Sequence, residues 1–163
     1  MTYQFRRMTH ADLPLVRAWL ETPDAQAWWV DQDGNVTIDP EDLDHPGMRL
    51  WIVSLNGVPF AHMQDWDVHA FEGHYFLDRP PGTRGVDQMI GVPEMLGKGH
   101  GPAFMRQHIA VLFAEGAPEV VTDPDPANLR AVKAYQKAGF VPYGEHDSPE
   151  WGHVLLMSQT TRI

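Results

Sequence analysis

The stretch LWIVSLNGVPFAHMQDWDV at 50–68 constrains the fold more than any other part of the chain. Two apolar runs flank Asn56-Gly57, and this dipeptide tolerates the two positive-φ positions that a two-residue hairpin turn needs. The pattern predicts two antiparallel strands, which are marginal alone and need further strands and a covering layer. YQFRRM at 3–8 alternates like another strand, and RGVDQMIGV at 84–92 reads as one more. PEVVTD at 118–123 reads as a short buried strand, and two closing strands fall near FVPYGE and HVLLMSQ.

Helices supply the cover. Thr9 followed by Asp12 has the form of a capping box, opening an amphipathic helix through Leu13, Val16, Trp19 and Leu20 that Pro23 ends. A short helix carries Trp28 and Trp29. A longer one runs from about Pro102 to Ala114 with Phe104, Met105, His108, Ile109, Leu112 and Phe113 inward. Asp125 with Pro126 opens the last helix, which runs to Lys137 before Gly139. DQDGNVTIDPEDLDHPGMR at 31–49 has no apolar period and reads as a loop. The order is mixed α/β of the α+β kind.

With 163 residues and 43% hydrophobic content, the chain can bury one good core, so 1–163 reads as a single domain. It has no cysteine, which removes disulfides, thiolate metal sites and a cysteine nucleophile, and fits a reducing cytoplasm. The N-terminus reads as a strand instead of a signal peptide, and no apolar stretch is long enough to span a membrane. Twenty-two acidic against 12 basic residues give a net charge of -10, which repels phosphate backbones and anionic lipids and favours cationic small molecules. Neither nucleic acid nor a membrane is expected as partner. Monomer and homodimer both remain open.

LGKGHG at 96–101 lies between a predicted strand and a predicted helix. Such a turn offers backbone N–H groups and the positive end of a helix dipole to an anion, with no side chains to hold phosphates away. It also serves as a plain tight turn. It is not a Walker loop, because Lys98 precedes Gly99 where that loop needs Ser or Thr, and it lacks the acidic partner of a dinucleotide site.

A second motif follows in order: TDPDPANLRAVKAYQKAGF at 122–140, with Asn128, Tyr135 and Gly139-Phe140 at fixed spacing. Together the two resemble the GCN5-related N-acetyltransferase (GNAT) superfamily. Almost the whole chain is similar to its aminoglycoside 6'-N-acetyltransferase branch, which is related to siderophore-type hydroxylysine acetyltransferases. The resemblance is weakest at 31–49. It implies a GNAT fold with a mixed, mostly antiparallel sheet, and acetyl-CoA as cosubstrate. Leu96, Gly97, Lys98, Gly99, His100 and Gly101 would cradle the pyrophosphate, Ile90, Gly91 and Val92 would meet the pantetheine arm, and Asn128 and Tyr135 would complete the cofactor site. Leu96 stands where the superfamily often has Arg or Gln.

Acetyl transfer to an amine needs a deprotonated amine, a site for the oxyanion and a proton for the departing thiolate. The resemblance assigns the proton donor to Tyr135 and the amine's carboxylate to Asp87. Helical spacing also allows Tyr135 as a core residue with Leu129 and Val132, and Asp87, an acid near a strand end, could instead pair with Arg84. By the same resemblance Asp123, Glu72, Tyr75 and Glu150 would contact the acceptor, with Glu for Asp twice and Tyr for Trp once. Asp123 also fits a simple turn residue in DPDP. Trp28 and Trp29 either flank the cleft or belong to the core. His69 and His74 with Asp65 and Asp67 match no metal-ligand spacing, and no metal is expected. The implied activity is transfer of acetyl to a polycationic aminosugar. A hydroxylamine or small-amine acceptor, or a CoA-binding module without catalysis, are the alternatives.

Overall fold

The computed structural model describes residues 2–161. The sheet strands are β1 (Gln4–Arg7), β2 (Met48–Leu55), β3 (Val58–Asp67), β4 (Arg84–Ile90), β5 (Glu119–Thr122), β6 (Val141–Ser148) and β7 (Gly152–Thr160). They form one sheet in the order β1-β2-β3-β4-β5-β7-β6. Every pairing is antiparallel except β4 with β5. Asn56 and Gly57 turn the central hairpin with φ of 52° and 79°, the positive values that the dipeptide was expected to supply.

Among the described residues four α-helices cover the sheet: α1 (Leu13–Leu20), α2 (Pro23–Trp28), α3 (His100–Ala114) and α4 (Leu129–Lys137). Two apolar clusters separate along β3, because side chains alternate between faces. Met63 shares one cluster with Phe104, Met105, Ile109 and Leu112 of α3, while Trp66 shares the other with Val16, Trp19 and Leu20 of α1.

Several helix ends differ from expectation, each for a local reason. Pro23 opens α2 instead of only closing α1, since its missing N–H is harmless in a first turn. α3 begins at His100, so the glycine loop runs into the helix itself. α4 begins at Leu129, capped by the Asn128 side chain, which accepts from the Ala131 N–H at 3.3 Å. Asp125 instead holds the Ala127 N–H at 2.8 Å in the preceding turn. Segment 31–49 carries a 3-10 turn at Pro40–Asp44 and joins β2 at Met48. Phe113 is only half-buried. Among the described residues no helix is long and apolar enough to cross a membrane.

Candidate active site

The parallel pair β4 and β5 stays together for two residue pairs only, Arg84 with Val120 and Gly85 with Val121. Thr122 then donates its hydroxyl to the Val86 carbonyl at 2.9 Å, and beyond that point the strands part. β4 continues to Ile90 bonded to β3 alone, so its other edge carries unpaired backbone groups. A cleft of about 840 Å³ fills the opening, lined among others by Asp87 to Ile90, by Thr122 to Asp125, and by Ala131, Ala134 and Tyr135 of α4.

The glycine loop closes one side of this cleft through Leu96, Gly97, Gly99, His100 and Gly101. Gly97 and Gly99 have φ of 70° and 82°, and Gly99 is the left-handed N-cap of α3. A Cβ on either would meet no atom within 4 Å, so backbone conformation and not crowding explains these glycines. The unpaired N–H groups of the first turn of α3 lie at this end, except at Pro102, which has none. His100 shares its Nδ1 with the Tyr3 hydroxyl at 2.8 Å and packs edge-on against Tyr3 and Phe60, so its ring anchors the loop to the core. Lys98 is exposed and does not line the cleft. Neither do Gly91 and Val92. A Cβ on Gly91 would sit 2.1 Å from the Trp19 ring, which makes this glycine a packing requirement of α1.

Asp87 faces the cleft from β4. Its Oδ2 accepts from the Gln64 carboxamide and the Trp66 indole, each at 3.0 Å. Burial pushes its carboxyl above the ordinary range. The alternative partner, Arg84, lies on the opposite face three positions away and pairs with Asp65. Tyr135 is 5% exposed with its ring edge-on to Phe140 at 5.5 Å. Leu129 is 65% exposed and falls out of the stripe read with it, but Tyr135 itself belongs to the buried apolar cluster with Phe140, against Ala131 and Ala134, as the core reading expects. The side chains of Thr122 and Gln88 bond the Tyr135 hydroxyl, while burial and then the charge of Asp87 keep it protonated well past the usual tyrosine range.

Asp123 also lines the cleft and is more than a turn residue: the Tyr75 hydroxyl donates to its Oδ2. Burial, and then the nearby charge of Asp87, push the Asp123 carboxyl well up. Tyr75 stands behind Asp123 instead of lining the cleft, and its own hydroxyl is held protonated by burial and Asp123. Glu150 and both Trp28 and Trp29 line the cleft. Trp28 is 40% exposed, whereas Trp29 is half-buried, donates to the Thr37 carbonyl at 3.3 Å and packs edge-on against His62. Glu72 is exposed and lies outside the cleft lining.

Sequence reading missed several groups here. Asp24, Asp31, Asp42 and Asp125 add carboxylates to the lining. Asp42 comes from the segment read as featureless, and burial followed by the Asp39 charge raises its carboxyl. Arg130, Lys133 and Lys137 add a cationic stripe, spaced three and four apart along α4, that the helical period could have revealed. Arg130 pairs with Asp24. The four residues weighed for a metal do not converge. Asp65 lies fully buried with Arg49, Arg84 and His108, Asp67 caps the His69 N–H, His69 Nε2 meets the Arg79 carbonyl, and His74 packs on Trp66.

The family described as "Acetyltransferase (GNAT) domain" matches residues 8–148. The aminoglycoside N(6')-acetyltransferase type 1 of Klebsiella pneumoniae is 33% identical over 166 aligned positions, covering 95% of this chain and 81% of that protein. Among solved structures, AAC(6')-Ib in complex with paromomycin and acetyl-CoA superposes with a TM-score of 0.87 at 30% identity, covering 98% of this chain and 94% of that one. The same enzyme with coenzyme A and kanamycin gives 0.86 at 31% identity, covering 98% and 95%.

Proposed function

The chain belongs to the acetyltransferase (GNAT) family, and from that premise we propose that it moves the acetyl group of acetyl-CoA directly to an amine of an aminoglycoside-like, polycationic aminosugar. One observation carries the reading. A glycine loop at a helix N-terminus, an open strand edge and an array of carboxylates meet in a single cleft.

The glycine loop and the start of α3 hold the pyrophosphate through backbone N–H groups, with Arg130, Lys133 and Lys137 adding positive charge beside them. The free edge of β4 pairs with the amide groups of the pantetheine arm and brings the thioester alongside Asp87. The carboxylates gather the acceptor's ammonium groups, since each contact near water is weak and only the array gives affinity. Asp87 takes a proton from one ammonium, and the freed amine attacks the acetyl carbon. An N–C bond forms, the carbonyl oxygen gathers charge that backbone N–H groups stabilise, and the C–S bond then breaks. Tyr135 gives its proton to the leaving thiolate and is reprotonated from the cationic amide nitrogen. The products are the N-acetyl sugar, free CoA thiol and the proton that Asp87 then returns to water.

A thiol-release assay with acetyl-CoA tests the proposal. Kanamycin should release CoA thiol with saturation, and more efficiently than spermidine or N-hydroxy-cadaverine. Release with the hydroxylamine alone would move the acceptor to the siderophore type. CoA binding without release for any acceptor would leave a binding module.

A further inference from the structure

His62 is wholly buried in β3, yet it takes no part in the chemistry proposed above. Its two ring nitrogens are both spoken for. Nδ1 lies 3.1 Å from the Trp51 carbonyl, and Nε2 lies 3.3 Å from the Gln64 carboxamide oxygen. Gln64 in turn donates to Asp87 at 3.0 Å. His62, Gln64 and Trp66 share one face of β3, with Asp87 directly across from Gln64 in the antiparallel register. A continuous line of hydrogen-bonding groups therefore runs from the Trp51 carbonyl to the carboxyl in the cleft.

The polarity of this line is constrained. A carbonyl only accepts, so Nδ1 of His62 carries a hydrogen. A carboxamide accepts at one end and donates at the other, and a half-turn of its last torsion exchanges the two. Two proton arrangements satisfy every contact. In one, His62 is an imidazolium that donates to the Gln64 oxygen, while the Gln64 N–H₂ donates to an Asp87 carboxylate. In the other, His62 is neutral and accepts at Nε2 from the Gln64 N–H₂, while the Gln64 oxygen accepts from a protonated Asp87. Neutral His62 with ionised Asp87 always leaves two acceptors facing each other, on one side of Gln64 or the other. The line is content with one proton on its two ends and strained with none.

We infer that His62 is a positioning residue for Asp87: through Gln64, the neutral Nδ1–H imidazole raises the proton affinity of the carboxyl in the cleft. Burial favours this arrangement at both ends, since it pushes the imidazole down to about 4 and the Asp87 carboxyl up. The surroundings of His62 are the Trp29 ring beyond α2, the Trp51 carbonyl of β2 and Met89 across on β4, none of them charged. Asp87 is faced by the Trp66 indole of β3, by Asp123 after β5, and by Tyr135 of α4, with Tyr75 also within its field. The ionisable groups in this set act on Asp87 from the cleft side, and only Gln64 links it to His62. For catalysis the consequence is direct. An Asp87 carboxylate that completes its hydrogen-bond line by taking a proton is a better base for the ammonium.

The inference builds on Asp87 as the base, so its test reads proton affinity separately from activity. The Asp87 carboxyl is titrated by carbon-13 NMR in the parent, in His62→Phe, in Gln64→Met and in the double variant, with circular dichroism to confirm folding. His62→Phe keeps a ring against Trp29 and removes the Nε2 acceptor, so Gln64 is free to donate to the carboxylate. The Asp87 midpoint should fall by about one pH unit, the scale of one hydrogen bond to a charged group. In the Gln64→Met background the same change should leave the midpoint where it is. An unmoved midpoint in folded His62→Phe, or an equal fall in both backgrounds, would overturn the relay. Should His62→Phe not fold, nitrogen-15 shifts of the parent decide: a neutral Nδ1–H tautomer at pH 7 is required, and an Nε2–H tautomer or an imidazolium refutes it. Activity of Asp87→Asn tests the base assignment on its own. A variant that kept full turnover would end that assignment and leave the NMR result standing.

Discussion

Replacing Tyr135 by Phe removes one hydroxyl from a residue that is 5% exposed and keeps the ring that packs edge-on against Phe140. Folding loses the bonds of the hydroxyl to Thr122 and Gln88, about 0.5–1.5 kcal/mol in net stability. For a chain of this size that lowers Tm by roughly 1–6 °C. Turnover loses much more if the hydroxyl protonates the thiolate: a general acid contributes typically 10²- to 10⁴-fold, or about 2.7–5.5 kcal/mol of barrier. The assay is single-turnover acetylation of kanamycin with saturating acetyl-CoA, which isolates chemistry from product release, with a melting curve and CoA affinity on the same samples. Since burial and the Asp87 charge hold the Tyr135 hydroxyl protonated, the parent's rate should show no fall with rising pH that the variant lacks. A variant that melts a few degrees lower yet turns over at the parent rate would reduce Tyr135 to packing.

Gly91→Ala should cost about 1–3 kcal/mol or more in chemical denaturation, because its Cβ would lie 2.1 Å from the well-packed Trp19 ring; unchanged stability would show that α1 yields there. Asp123→Asn should raise the KM of a tetra-amino sugar about tenfold or more and spare that of acetyl-CoA, whereas Glu72→Gln, outside the cleft lining, should change neither appreciably. Because the Asp123 carboxyl is raised, a polycation that binds it must displace its proton, so the loss from Asp123→Asn should grow with pH; a pH-independent loss would refute that coupling. His62 is neutral in the fold and its protonation falls from 6.5 to about 4, so the unfolded chain binds its proton first on acidification. That group should remove about 3 kcal/mol of stability between pH 6.5 and 4, absent from His62→Phe in parallel urea titrations. Asp65 is held low by His108, Arg84 and Trp51 against the cost of burial; its stabilisation is present above the ordinary carboxylate range and is lost below it.

The fold was legible where local chemistry leaves little choice. Asn56-Gly57 between two apolar runs determined a hairpin, alternation marked β1, and the glycine loop stood before a helix as its dipole requires. Helix starts were less legible, because Asp125-Pro126 and Asn128 are both acceptable caps and only tertiary packing selects the second. The loop and the motif around Tyr135 pointed to one cleft, yet Gly91, Val92, Lys98, Glu72 and Tyr75 lie outside its lining, and His100 lines it with a ring that is also tied to the core. Gly91 answers to the Trp19 ring of α1, and His100 to Tyr3, contacts between residues 72 and 97 positions apart that no local pattern encodes. Asp42 was hidden for a different reason: it sits in a segment without period, where only the three-dimensional path decides which of several acids faces inward.

The position of Asp87 follows from where the sheet divides. β4 and β5 share backbone bonds through Gly85 and Val121, and the Thr122 hydroxyl takes over at Val86 in place of the next ladder bond. Asp87 is thus the first β4 residue past the split. Its side chain enters the cleft while its backbone remains bonded to β3, so the carboxyl is held by a rigid strand instead of a loop. Thr122 also bonds the Tyr135 hydroxyl, which ties the proposed acid to the same dividing point as the proposed base. One side chain therefore stands both where the sheet opens and beside the hydroxyl proposed as the acid. A β-branched hydroxyl suits that position, since valine would keep the strand and leave the Val86 carbonyl without its partner.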